Sequence, residues 1–135
     1  MKYLLDTHIL LWAVVKSQNV SEKVRAIVED RNNELYYSAV SIWEVAIKRL
    51  VHPDKITDIP IERLMVLCED ANIYELPLNA RHTCLLETLK RSDNAPPHKD
   101  PFDRILISQA KSENMIFLTH DDTLTSYNED CIIYV

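Results

Sequence analysis

A chain of 135 residues supports one hydrophobic core and leaves little room for a second, so a single domain over residues 1–135 is predicted. Apolar residues make up 47% and charged residues 27%, a globular balance, and 21 acidic against 15 basic side chains give a formal charge of −6; this argues against a protein that holds nucleic acid mainly by a broad basic surface. The chain contains no glycine, which excludes the GxGxxG turn and the Walker A loop as routes to a nucleotide.

Tyr3-Leu4-Leu5 is a short strand, and Thr7 to Val15 is a helix with Leu10, Leu11 and Val14 on one stripe. This apolar start resembles a signal peptide, but Asp6 and His8 interrupt it and no small-residue cleavage site follows. No segment reaches the ~20 apolar residues that span a bilayer, so a soluble, cytoplasmic protein is predicted. Ser21 caps a second helix carrying Val24, Ile27 and Val28. Leu35 to Ser38 is a strand, Ser41 to Val51 a helix, and His52 to Pro60 a loop with two prolines. Ile61 to Ala71 is helical, Ile73 to Leu76 a strand, and Asn79 caps a helix reaching Leu89. Lys90 to Pro101, with three prolines, is the longest irregular segment and the expected mobile or substrate-facing loop. A helix from Pro101 to Glu113 ends at Asn114, which replaces the usual glycine in the left-handed region. The strand Met115 to Leu118, a short turn or helix, and the strand Cys131 to Tyr134 complete the chain.

Alternating strands and helices specify an α/β fold with a mostly parallel sheet of about five strands. Met115 to Leu118 is apolar on both faces, as a central parallel strand covered on each side must be. Cys68, Cys84 and Cys131 lack CxxC spacing, so small core thiols of a reducing compartment are expected in place of zinc ligands or disulfides. Trp12 and Trp43 are expected to pack in the core, and His8 and His82, on helices, to be structural.

Ligands of such sheets bind beyond the carboxyl ends of the strands, and the residues predicted there are acids. Asp6 follows the first strand, Glu44 lies one turn into the helix after the second, Asp103 opens the helix before the fourth, and Asp121 and Asp122 follow that strand. Carboxylates sharing one crevice repel each other unless cations neutralise them. Hard oxygen ligands suit Mg²⁺ or Mn²⁺, and two such ions about 3.5–4 Å apart clamp a phosphodiester for in-line attack by water. Each acid also has a structural reading. Asp6 caps the helix at Thr7, Glu44 pairs with Lys48 at i, i+4, and Asp103 favours a helix dipole with Asp100 as N-cap and Pro101 at N1. Asp121 or Asp122 caps the terminal turn. Joint placement at one sheet edge favours the site. Ser41, Glu44 and Lys48 form the single polar stripe of an otherwise apolar helix, predicted to be mainly buried with that stripe lining a crevice.

Four segments carry a resemblance. They are Tyr3-Leu4-Leu5-Asp6-Thr7-His8; Ser38-Ala39-Val40-Ser41-Ile42-Trp43-Glu44-Val45-Ala46-Ile47-Lys48; His98-Lys99-Asp100-Pro101-Phe102-Asp103-Arg104-Ile105-Leu106-Ile107; and Leu118-Thr119-His120-Asp121. In this order they are similar to PIN-domain proteins, and within these to VapC-type toxins of bacterial toxin–antitoxin pairs. The resemblance implies a three-layer α/β/α sandwich and a Mg²⁺- or Mn²⁺-dependent endoribonuclease. It places the acidic quartet on Asp6, Glu44, Asp103 and Asp121, with Asp6 and Asp103 the principal ion ligands and Glu44 and Asp121 completing the site and positioning the attacking water. It also implies a homodimer silenced by a cognate antitoxin.

Two divalent ions would offset much of the −6 charge. Lys48, Arg49, Lys90, Arg91, Lys99, Arg104 and Lys111 are candidate local cations. Arg104, about 100° around the helix from Asp103, is expected on a phosphate or on a structural carboxylate. Ser41 and Thr119 either orient an active-site water or satisfy the backbone. His98 and His120 flank the third and fourth acids, where stabilising a leaving group or binding a phosphate competes with the commoner reading of an exposed, idle loop histidine. Two other functions compete: a catalytically silent RNA- or protein-binding domain, and an aspartyl-phosphate phosphatase with Asp6 as nucleophile, whose expected second acid at position 8 is His8.

Overall fold

A computed structural model describes residues 1–15, 18, 20–98 and 100–135; Lys99, one of the candidate cations, lies outside them. Five strands are β1 (Lys2–Leu5), β2 (Glu34–Ser38), β3 (Ile73–Leu76), β4 (Ile116–Thr119) and β5 (Ile132–Tyr134). Five α-helices are α1 (Thr7–Val15), α2 (Glu22–Glu29), α3 (Ala39–Val51), α4 (Ile61–Asp70) and α5 (Pro101–Ser112). The sheet order is β3-β2-β1-β4-β5 and every pairing is parallel. Because each crossover packs a helix on one face, the central strands are covered on both sides. Successive side chains of a strand point to opposite faces. Leu5 and Leu118 therefore join Ile9, Leu10, Val24, Leu64 and Cys68 in one core, while Leu4 and Phe117 join Leu106, Ile107, Ala110 and Leu124 in the other. The result is the three-layer α/β/α sandwich.

Several local expectations change. α3 starts at Ala39, two residues before Ser41, because the Ser38 hydroxyl accepts from the Val40 N–H and caps it there. The helix expected from Asn79 to Leu89 is a 3₁₀ segment, Ala80–Thr88, capped reciprocally by Asn79 and His82. Thr83 and Thr88 hydroxyls donate to carbonyls three residues back, local bonds that compete with α-helical pairing. The fourth and fifth strands begin one residue later than expected. Asn114 has φ 55°, and Asn72 adopts φ 57° at the end of α4. Cys68 is buried, but Cys84 is exposed and Cys131 half-buried, so the thiols are not all core residues.

α3 corrects the expectation of a mainly buried helix, while Glu44 and Lys48 of its polar stripe line a crevice as expected. Ser41 and Glu44 are buried, whereas Trp43 is 58% and Leu50 86% exposed, with Val51 exposed beside them. Trp43 lies edge-on to Phe102 at the surface, and Trp12 is half-buried and edge-on to His120; neither tryptophan belongs wholly to the core. Of the Lys90 to Pro101 segment, residues 90–98 and Asp100 carry no helix or strand, Pro101 opens α5, and the start of the segment is anchored. Arg91 bridges Tyr127, the Ser92 N–H donates to the Ser126 carbonyl at 2.8 Å, and the Asn128 N–H donates to the Lys90 carbonyl at 2.7 Å. No helix of the described residues is long and apolar enough to cross a membrane.

Candidate functional site

The chain runs from β1 outward to β2 and β3, then returns to place β4 on the other side of β1. The strand order reverses between β1 and β4, and that is where a crevice opens at the carboxyl ends of a parallel sheet. Asp6 stands immediately after β1, its N–H donating to the Leu118 carbonyl at 2.9 Å. Thr119 closes β4 beside it.

A cleft of about 460 Å³ occupies this point, lined by Asp6, His8, Trp12, Glu44, Lys48, Asp100, Asp103, His120 and Asp121. All four acids of the quartet are therefore brought together, and Asp121 rather than Asp122 lines the cleft. Each acid is held by its own partners. Asp6 Oδ1 accepts the Thr7 N–H at 2.7 Å and Oδ2 accepts the Thr119 hydroxyl at 2.6 Å. Glu44 Oε1 accepts the Thr7 hydroxyl at 2.7 Å, and Oε2 pairs with Lys48 Nζ at 2.7 Å. The Ser41 hydroxyl lies 3.0 Å from Thr7 Oγ1. Asp103 Oδ2 faces His98 Nε2 at 3.2 Å. Asp121 Oδ1 accepts the Thr123 N–H at 3.0 Å as cap of the 3₁₀ segment Asp122–Ser126, and the Asp121 N–H donates to Thr119 Oγ1 at 3.1 Å.

The structural readings of these acids are thus real, but they coexist with the convergence. Asp100 caps α5 through the Phe102 and Asp103 N–H groups while still lining the cleft. Lys48 both bridges Glu44 and lines the cleft. Arg104 holds no carboxylate among the described residues: its guanidinium donates to the Leu86 carbonyl at 3.3 Å, tying α5 to the 3₁₀ segment. His8, expected to be structural, is exposed at the cleft rim. His82 is structural, fully buried and 2.8 Å from Glu113. His98 and His120 are not idle loop residues. His98 touches Asp103 and Tyr127, and His120 Nδ1 bonds the Val135 carbonyl while its ring stacks on Tyr134.

The electrostatics follow from crowding. Burial, followed by the charges of Asp6, Asp100, Glu44 and Asp121, pushes Asp103 from 3.8 up to about 8. Burial raises Asp6 as well, against the opposing hydrogen bonds of Thr119 and Thr7, and Glu44 adds to the rise. For Lys48, burial works against its charge, but the Glu44 hydrogen bond and charge outweigh it, so its pKa lies above the usual value. His98 is lowered by burial and then by the Arg91 guanidinium, which keeps its ring neutral at neutral pH.

Among the described residues no three acidic, histidine or cysteine side chains already form a ready-made ion site. In kind, the donor set fits a hard divalent cation: the converging ligands are carboxylate oxygens, no thiol lines the cleft, and their mutual repulsion is what a cation relieves. Thr7 escaped the sequence reading as a functional side chain, since a threonine opening a helix reads as a start signal; its position directly after Asp6 was the only available signal.

Comparison with known proteins agrees with this architecture. The family profile described as PIN domain matches residues 3–129. Among solved structures, the chain is similar to VapBC2 from Rickettsia felis bound to a DNA fragment from their promoter, with TM-score 0.67 and 16% identity over 100% of this chain and 98% of that one. It is also similar to VapBC-1 from nontypeable Haemophilus influenzae, with TM-score 0.59 and 22% identity over 93% of each chain. For FitAcB from Neisseria gonorrhoeae the TM-score is 0.50 at 19% identity over 92% of this chain and 91% of that one. At these identities the likeness carries the fold. No curated protein matches the sequence.

Proposed function

Because the chain belongs to the PIN domain family, we propose that it is a Mg²⁺- or Mn²⁺-dependent endoribonuclease, the toxin of a VapC-type toxin–antitoxin pair. The observation that carries the reading is the convergence of Asp6, Glu44, Asp103 and Asp121 on one cleft at the strand-order reversal, with Asp103 forced up to about 8. A fold does not gain stability by crowding carboxylates; it sustains the cost where a cation is to be bound.

In this reading Asp6 and Asp103 hold the ion and Glu44 and Asp121 complete its surroundings. When bound, the ion supplies Lewis-acid polarisation of a phosphodiester. The chain's own groups set the geometry. Thr119 and the Thr7 N–H fix the two oxygens of Asp6, and the Thr7 hydroxyl with Lys48 fixes those of Glu44. Lys48, at the cleft wall, offsets part of the acidic charge against which an RNA phosphate must approach. Thr119 acts on Asp6 directly, and Ser41 acts through the Thr7 hydroxyl that holds Glu44. Water attacks phosphorus and the bond to the leaving ribose oxygen breaks; the attacking water's proton passes to a carboxylate of the cluster, and the leaving oxygen takes up a proton from solvent to become a hydroxyl.

A cognate antitoxin belongs to the same proposal, supported by the similarity to chains from VapBC complexes, and so do a homodimer and a cytoplasmic location. The test is incubation of total RNA with purified protein and Mg²⁺, Mn²⁺ or EDTA. Fragments with either ion and none with EDTA support the reading. Uncut RNA together with no calorimetric ion binding overturns it and leaves a binding domain.

A further inference from the structure

Behind Asp103 runs a line of contacts that the acidic quartet does not explain. His98 Nε2 lies 3.2 Å from Asp103 Oδ2, and its Nδ1 lies 2.6 Å from the Tyr127 hydroxyl. The two rings meet edge to face at 5.5 Å. Tyr127 is buried, and the Arg91 guanidinium sits over its ring at 5.1 Å. All three guanidinium nitrogens of Arg91 are buried and have no hydrogen-bond partner among the described residues. A buried cation without an acceptor is costly, and the electron-rich face of Tyr127 is the group that compensates it.

This arrangement fixes the sense of each bond. A cation over the ring withdraws electron density from the phenol, which makes its O–H a better donor and its oxygen a poorer acceptor. Tyr127 therefore donates to His98 Nδ1. A neutral imidazole with Nδ1 accepting carries its proton on Nε2, so His98 donates to Asp103 Oδ2. That bond forms whether or not Asp103 Oδ1 holds a proton.

We propose that Tyr127 and Arg91 are positioning residues that set His98 as the Nε2–H tautomer, and that His98 thereby holds the Asp103 carboxylate in the orientation the cleft requires. The catalytic consequence rests on the ribonuclease reading above; the tautomer does not. Partners that orient a ligating carboxylate through a hydrogen bond are worth about 10- to 100-fold in metal affinity or activity.

The test uses the full chain and the variants Tyr127→Phe, His98→Gln and His98→Ala. Long-range ¹⁵N–¹H spectra of wild type, recorded without RNA or added ions, are expected to show His98 with Nε2 protonated; an Nδ1–H ring overturns the proposal. Tyr127→Phe keeps the ring and the Arg91 contact but removes the donor. It is expected to mix the tautomers, weaken Mg²⁺ binding in calorimetry and lower kcat about tenfold with KM within about twofold. His98→Gln, whose amide places a donor near the lost Nε2–H, should recover much of what His98→Ala loses. A merely structural role predicts lower thermal stability in all three variants with the tautomer, Mg²⁺ affinity and kcat unmoved, and that result would also overturn the proposal. Wild type that cuts no RNA and binds no Mg²⁺ sinks the ribonuclease reading, and the tautomer then decides the positioning claim alone.

Discussion

Asp103→Asn should make the ion-free protein more stable while disabling it. Asp103 is held at about 8 in the fold against 3.8 for an unstrained carboxyl, and its side chain is only 14% exposed. The folded state therefore retains a proton that the unfolded chain releases. Stability falls as pH rises from 3.8 toward 8, at about 1.4 kcal/mol per unit. Carried to pH 7 this gives about 4 kcal/mol, and water entering the cleft reduces it to an expected gain of about 2 kcal/mol for the neutral amide. In a domain of this size that is a rise of about 8 °C in Tm. The opposing effect, an anion in the first turn of α5, is worth about 0.3–1 kcal/mol and does not reverse the sign. Thermal unfolding of wild type and Asp103→Asn at pH 4 and pH 7, without divalent ions, reads this directly. The gain should be present at pH 7 and mostly gone at pH 4, where Asp103 is protonated in the fold and partly protonated in the unfolded chain. Saturating Mn²⁺ should stabilise wild type and not the variant. An Asn variant less stable than wild type at pH 7, or an equal gain at both pH values, would refute the crowding argument and favour a structural role for the carboxylate.

Three further substitutions separate function from fold. Glu44→Gln keeps an acceptor for Thr7 and loses only the pair with Lys48, itself 39% exposed; unfolding should move by less than about 1 kcal/mol while ion binding weakens in calorimetry, and unchanged affinity would remove Glu44 from the site. Thr7→Val preserves shape but strips the Glu44 Oε1 donor, so a loss of about 1–3 kcal/mol is expected in urea unfolding, and a shift of only a few tenths would show that the hydroxyl is not holding Glu44. Asn114 sits at φ 55°, so Asn114→Ala should cost about 1 kcal/mol and Asn114→Gly should be neutral or mildly stabilising; equal effects of the two would contradict a left-handed requirement.

The parallel sheet was legible because Phe117 and Leu118 are both apolar although they face opposite cores. The four acids were legible because a residue directly after a parallel strand, or in the first turns of the next helix, is placed at the carboxyl edge by connectivity alone. α3 shows where pattern reading stops. Periodicity reveals that Ser41, Glu44 and Lys48 share a face, but not that this face turns inward while Trp43 and Leu50 meet solvent. Here the Thr7 hydroxyl of α1, together with Lys48, supplies the partners that permit Glu44 to be buried, and the Thr7 contact is a tertiary property. The His98 to Tyr127 contact joins residues 29 positions apart, so no local spacing announces it, and the reading of His98 as an idle loop residue followed from treating it alone. Arg104 likewise pairs with the Leu86 carbonyl of the 3₁₀ segment beside α5 and with no carboxylate among the described residues, a contact 18 positions apart in the chain.

The central claim is that these carboxylates are crowded together to act through a divalent ion on RNA. The most direct measurement compares RNA cleavage by wild type and Asp6→Asn in Mn²⁺ and in EDTA, with both proteins shown to be folded by circular dichroism. The account predicts cleavage by wild type in Mn²⁺ alone and a loss of at least about 100-fold in the variant. Equal cleavage by the two proteins, or cleavage that persists in EDTA, would contradict it.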